Sequence, residues 1–259
     1  MSALSDMVWV EQRKALRSKV PLFTGLMSLF MPLGVAFLIF VARNPEISRK
    51  LGLISVKADL LAYSATDWPA YMGLSSMIAA AGAFFLFLLV VSWVFGREFA
   101  DGTLKDMLAV PVSRATIVLA KFIVVAAWCV ALSVIMLVIG LLMGVIIGLP
   151  GGSAPVVVQG SALVLLTALL VIATISPFAF FASVGRGYLL PVGTGGLALL
   201  AANIVALAGW GEYFPWSVPG ILAQGETPLT ATSYAVVILT GLAGMLVTYM
   251  WWMRADQDR

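Results

Sequence analysis

The sequence contains no histidine and one cysteine, Cys129. Without imidazole there is no Ser-His catalysis and no histidine metal site. It also has no side chain that ordinarily titrates near neutrality. A lone cysteine forms no intrachain disulfide and no thiolate cluster. Inside an apolar run it reads as a small buried hydrophobe. Charge is scarce as well. Only 10% of the 259 residues are Asp, Glu, Lys or Arg, while 62% are hydrophobic, against roughly 25% and 45–50% in soluble domains. So few polar groups cannot cover a water-facing surface, which excludes an ordinary soluble enzyme. Fifteen basic residues against twelve acidic leave a net charge of +3, too small for a nucleic-acid-binding or disordered chain. No glycine-rich loop runs into Lys-Ser or Lys-Thr, so the chain has no phosphate cradle for ATP.

What the sequence has is apolar length. A bilayer-spanning helix needs about 20 mainly apolar residues, and six stretches qualify: 21–42, 70–95, 115–149, 156–183, 189–210 and 233–253. The reading is an all-α polytopic membrane protein, one transmembrane domain over 1–259. Pro32 predicts a kink in the first span, and Pro177 and Pro191 fall near span ends. The third span exceeds the hydrocarbon thickness, so its first turns stand outside it. Residues 149–155 and 183–188 read as tight turns.

Lys and Arg counting sets the orientation. Eleven fall on the side of the N-terminus: Arg13, Lys14, Arg17, Lys19, Arg97, Lys105, Arg114, Lys121, Arg186, Arg254 and Arg259. Four fall on the other: Arg43, Arg49, Lys50 and Lys57. Both termini are therefore expected in the cytoplasm. The segment 2–19 carries both charge signs ahead of the first span, unlike a cleaved signal peptide. On a helical wheel Leu4, Met7, Val8 and Ala15 cluster, Arg13 and Arg17 lie opposite, and Glu11 interrupts the apolar side. This reads as an interfacial helix, with a solvated basic tail as the alternative.

The spans hold almost no ionisable groups. Lys121 lies near the cytoplasmic end of span three, where it reads as snorkelling to the surface. Asn203 reads as an interhelical hydrogen-bond donor, and Gln159 is also neutral. With no carboxylate at mid-depth, a proton- or ion-coupled carrier is disfavoured. An intramembrane enzyme fails on the same count. Energy for any transport has to come from a separate chain.

The loop after span two, residues 96–114, concentrates the polarity of the cytoplasmic side. Gly102 permits a sharp turn. Thr103 with Asp106 reads as a capping box opening a short helix over about 104–110, which Pro111 ends. Ser113 is placed to cap the third span. Leu104, Met107 and Leu108 form a stripe at helical spacing. That stripe either docks in a groove of another protein or packs on its own membrane domain. Glu98 either faces water or pairs with Arg114, Lys121, Lys14 or Arg17.

Glu98, Gly102-Thr103-Leu104-Lys105, Pro111-Val112-Ser113-Arg114 and Lys121 resemble the E…GTLK…PVSR…K pattern of type 2 ABC exporter permeases, in particular the bacitracin- and lantibiotic-resistance branch. Glu11…Lys14 and Tyr213-Phe214-Pro215-Trp216-Ser217-Val218-Pro219 are similar too. The resemblance implies a permease paired with a second permease chain, as a homodimer or related heterodimer, over two copies of an ABC ATPase. ATP and Mg would sit on the ATPase, with no catalytic, cofactor or metal residue on this chain. It implies a prokaryotic plasma-membrane protein moving a hydrophobic or amphipathic substrate outward: a peptide antibiotic, a drug or a lipid. The short helix becomes a coupling helix, with Glu98, Gly102, Thr103, Leu104, Lys105, Met107, Leu108, Pro111 and Arg114 as coupling residues. Residues 211–232 become an outer re-entrant segment, with Tyr213, Phe214, Pro215, Trp216 and Pro219 as gate candidates. From the residues alone, that segment reads equally as an aromatic belt at headgroup level. Membrane lipid is an expected partner and nucleic acid is not. The competing reading is a membrane scaffold or sensor subunit that moves nothing. Leu51, Ile54, Ala58 and Leu61 outline a short surface helix between spans one and two.

The charge bias predicts an experimental topology. A cysteine at Ala109 should react with an impermeant thiol reagent only from the cytoplasmic side, and one at Ser153 only from outside. Labelling of Ala109 in intact cells would reverse the orientation.

Overall fold

The structure, a computed structural model, describes residues 3–43, 67–225 and 229–254. Within them the regular elements are helical: α1 (Ala3–Leu16), α2 (Val20–Arg43), α3 (Trp68–Ala100), α4 (Leu104–Leu108), α5 (Arg114–Ile146), α6 (Ala154–Ile175), α7 (Pro177–Val184), α8 (Leu189–Leu207), a 3-10 turn (Gly211–Tyr213), α9 (Val218–Gln224) and α10 (Ala231–Arg254). Six stretches are long and apolar enough to cross a membrane, α6 and α7 together counting as one. The surface helix expected over 51–61 lies outside the described residues.

Helix α3 is the central post. Its most apolar window is 67% buried, while the other spans range from 17% to 41%. It packs against α2, α5, α6, α7, α8 and α9. Small residues explain how so many helices reach it: Ala79, Ala80 and Ala83 are buried along its length, and membrane helices associate through such close approaches. Phe84, Phe87 and Phe95 then fill the space between neighbours, each at most 2% exposed. Both α3 and α5 have 33 residues, roughly 50 Å at 1.5 Å per residue. That exceeds a hydrocarbon core of about 30 Å, so both helices project beyond it.

At one end of α3, the Asp67 carboxylate caps the helix by accepting from Ala70 N–H at 3.0 Å. Trp68 N–H donates to Pro150 O, and the Tyr71 hydroxyl donates to Gly140 O at 2.7 Å. These last two bonds fasten α3 to α5 and to the α5–α6 turn. At the other end, Gly102 takes a φ of +70°. Thr103 N–H reaches back to Glu98 O and Asp101 N–H to Arg97 O, a Schellman-type stop that needs a residue free to turn left-handed. Ser113 caps α5 as expected, accepting from Thr116 N–H at 3.1 Å. The capping box does not form: the Thr103 side chain makes no cap bond to α4. Met107 N–H and the Thr103 carbonyl open that helix instead.

The fourth span is broken. Pro177 has no N–H, so the helix divides at Ser176 into α6 and α7. Ser176 N–H takes Ala173 O, and the Trp216 indole N–H donates to Thr174 O at 3.0 Å. Backbone freed by a proline is thus satisfied from a neighbouring segment. Helix α10 lies directly over the break. A Cβ on Gly241 would stand 3.0 Å from Ala173 O, and one on Gly244 would stand 2.7 Å from Pro177 Cα.

This contact generates a stability prediction. Gly244→Val should destabilise the bundle by about 2 kcal/mol, because the clash falls on backbone that cannot swing aside. Thermal unfolding in detergent measures it. An unchanged midpoint would mean that α10 does not rest on the break.

Candidate functional site

The densest polar cluster lies where α1 crosses α3 and α5. Lys121 on α5 is 0% exposed. Its ammonium donates to Glu98 Oε1 at 2.8 Å, to Val94 O at 2.9 Å and to Glu11 Oε2 at 3.0 Å. An ammonium has three protons, and all three are used. Lys14 on α1 completes the group, 2.7 Å from Glu11 Oε1 and 3.3 Å from Glu98 Oε1. Two carboxylates and two ammoniums cancel in charge. Glu98 Oε2 is buried and accepts no hydrogen bond among the described residues.

The contacts favour the charged forms of Glu11 and Lys14. Burial alone would push the Glu11 carboxyl up, but the ammonium groups of Lys121 and Lys14 hold it below its ordinary 4.5. Burial likewise opposes the charged form of Lys14, yet Glu11 and Glu98 raise it above its ordinary 10.5. Glu11 therefore stabilises the fold above pH 4.5, an effect lost as pH falls through its lowered value. Lys14 stabilises it below pH 10.5, an effect lost as pH rises through its raised value.

The four members come from three helices. Glu11 and Lys14 stand one turn apart on α1, and Glu98 is in the last turn of α3. Lys121 stands two turns into α5. The α3 helix runs to Ala100, past the expected end at 95, which keeps Glu98 inside the helix. Glu98 does two jobs. Its side chain joins the cluster, and its carbonyl accepts Thr103 N–H at the turn into α4. Lys14 Nζ also lies 3.9 Å from Met107 Sδ on α4. Arg97 adds a further tie, donating to Lys14 O at the C-terminus of α1, where cations are favoured.

The expected coupling residues divide into two sets. Met107 is buried, and Leu104 and Leu108 are half-buried against the main core. The stripe therefore packs on its own membrane domain. The exposed positions are Gly102, Thr103, Lys105, Asp106, Ala109, Val110, Pro111 and Ser113. Arg114 is not a partner of Glu98 in these contacts. It donates to Trp252 O at 3.1 Å, near the C-terminus of α10. The Trp252 indole in turn donates to Ser183 Oγ on α7 at 3.0 Å.

Two further expectations are corrected. Lys121 does not snorkel, because a complete set of acceptors awaits it inside. Among the described residues Asn203 makes no bond across helices; it donates to Leu199 O of its own helix at 2.8 Å. One available signal pointed to the cluster. Glu11 sits on the apolar side of α1, and a carboxylate on a buried face requires a cation. The lysine inside span three is the natural one.

At the opposite side of the bundle, residues 211–224 lie alongside α3, α6 and α8. Pro215 and Pro219 are buried, Phe214 and Trp216 half-buried, and Tyr213 exposed at 61%. The Trp216 ring packs at a tilt against Phe178 and Phe214. A cavity of about 240 Å³ lies between α3, α8 and α9, lined by Met77, Asn203, Trp216, Ser217 and Gln224 among others.

Comparison with known proteins adds two findings. A family model described as an ABC-2 family transporter protein matches residues 7–203. The bacitracin transport permease protein BCRB of Bacillus licheniformis is 27% identical over 179 residues, 66% of this chain and 84% of that protein.

The cluster predicts a sharp asymmetry between its members. Lys121→Met leaves two buried carboxylates sharing one partly exposed lysine and should cost about 3–5 kcal/mol. Adding Glu98→Gln to Lys121→Met should recover part of that loss. Thermal unfolding of the two variants checks it, and equal loss in both would mean that the charges do not act together.

Proposed function

The chain belongs to the ABC-2 family of transporter proteins, and from that membership we propose that it is the permease of an ATP-driven exporter, driven by a separate ABC ATPase seated on α4. The observation that carries this reading is the mounting of α4. Its inner side is fixed to the bundle through Leu104, Met107 and Leu108, and its outer edge of Thr103, Lys105, Asp106, Ala109 and Val110 is left open. A short helix held this way transmits a push instead of absorbing it. The cluster of Glu11, Lys14, Glu98 and Lys121 passes the displacement to α1, α3 and α5 together.

In this reading α1 lies on the cytoplasmic leaflet and α4 faces the cytoplasm, in line with the Lys and Arg bias. ATP and Mg are held by the ATPase, present in two copies, beneath a pair of permease chains. Residues 211–224 form the outer re-entrant element, and the Trp216 contacts with Thr174 and Phe178 hold it closed. Displacement of α7 at its inner end, through Ser183, Trp252 and Arg114, reaches that contact. The cargo is hydrophobic or amphipathic, since the spans offer no buried ion partner for a charged one at mid-depth. The relative named for bacitracin transport favours a peptide antibiotic within that class.

Two variants separate docking from coupling. Val110→Asp on the open edge of α4 should weaken ATPase binding by about 2 kcal/mol and leave the permease inserted. Glu98→Gln should keep the ATPase bound and basal hydrolysis intact, while substrate-stimulated hydrolysis and export fall together. Co-purification and hydrolysis in lipid discs measure both. Undiminished ATPase binding by Val110→Asp, with undiminished export by Glu98→Gln, would overturn the reading.

A further inference from the structure

A groove of about 370 Å³ opens between α1, α2 and α5, below the point where α1 turns into α2. Its walls are almost wholly apolar. Ala15 and Leu16 come from α1, Pro21 and Gly25 from α2, and Ala127 and Trp128 from α5. Gly25 keeps it open, with nothing within 4 Å of where a Cβ would stand. The groove has polar groups at two heights. Gln12 lines it on α1. The Trp128 indole N–H, which donates to no other group among the described residues, stands about 10 Å along α5 from Lys121.

The turn joining α1 to α2 beside the groove is cationic. Arg17 and Lys19 are exposed there, between Leu16 and Pro21, which line the groove. Arg13 stacks over the Trp9 ring at 4.6 Å. Arg17 and Lys19 carry no ion pair among the described residues. The nearby carboxylate on α1, Glu11, is turned inward and already neutralised by Lys14 and Lys121. An apolar slot beside a cationic turn that carries no ion pair among the described residues, at the surface end of a membrane helix, suits a phospholipid with an anionic headgroup.

We propose that this groove seats one anionic phospholipid, with an acyl chain between α2 and α5 and its phosphate against Arg17 and Lys19. The seat lies on the outer flank of the ion cluster, since Ala15 lines the groove one residue beyond Lys14. A lipid held there braces α1 against α2 and α5 from the membrane side. The inference rests on the reading of α1 as a helix on the bilayer surface. It needs neither the ATPase nor the cargo.

The test uses the full chain alone, purified in detergent and exposed to phosphatidylglycerol or phosphatidylcholine, with retained lipid counted by native mass spectrometry. The wild-type chain should retain phosphatidylglycerol in preference to phosphatidylcholine. The double variant Arg17→Gln, Lys19→Gln should lose that preference by about tenfold or more, as expected for two membrane-facing cations, with unchanged thermal stability. Gly25→Leu, which fills open space, should lower retention of both lipids. Equal retention of the two lipids by the wild type would overturn the proposal, as would full retention of phosphatidylglycerol by the double variant or by Gly25→Leu. Because hydrolysis and export are not read, failure here leaves the exporter reading standing.

Discussion

An ammonium group sealed from water requires three acceptors, and Lys121 finds them on two other helices. Glu98 and the Val94 carbonyl belong to α3, and Glu11 belongs to α1. Everything at this end of the bundle is arranged by that requirement. The α1 helix cannot lift away without stranding a charge in a low-dielectric interior, where an unpaired ion costs several kcal/mol. The long α3 helix has to continue to Ala100 to deliver Glu98. Its carbonyl then receives the turn at Gly102, which sets where α4 begins. A buried ion network of this kind adds little net stability over an apolar core. What it adds is a fixed geometry among four elements.

The other tie between the two sides of the protein runs through α7. This eight-residue helix is separated from α6 by the missing N–H of Pro177. Trp216 straddles the break, bonding to Thr174 O of α6 and packing at a tilt on Phe178 of α7. Below it, Ser183 accepts from Trp252, whose carbonyl accepts from Arg114 at the start of α5. Phe99, in the last turns of α3, packs its ring on Trp252. This short helix thus has the Trp216 ring against Phe178 at one end and the Trp252 indole bonded to Ser183 at the other, linking the α4 end to the 211–224 segment. The glycines of α10 rest on its hinge.

The helices were legible from the sequence because apolar length is a local signal. Gly102 and Ser113 were legible for the same reason, each acting within four residues of itself. What was not legible depends on partners far along the chain. Lys121 reads as snorkelling until Glu11, 110 positions away, is placed beside it. The Leu104, Met107, Leu108 stripe reads equally as a docking face or an anchor. Only the position of Lys14 and the core beneath α4 decides for the anchor. The Pro177 break reads as a span end because the Trp216 indole that satisfies it lies 42 positions downstream. Glu98 was the readable member: two of its four candidate partners, Lys121 and Lys14, are the ones it meets.

The central claim is that the ion cluster makes α1 and α4 move as one body. Paired spin labels at Asp6 and Lys105, both exposed, measure the distance between them in reconstituted transporter with and without ATP. The account predicts one unchanged distance distribution in the two states, and a second, broader one when Lys121→Met dissolves the cluster. A distance between α1 and α4 that shifts with ATP in the unmutated cluster would contradict it.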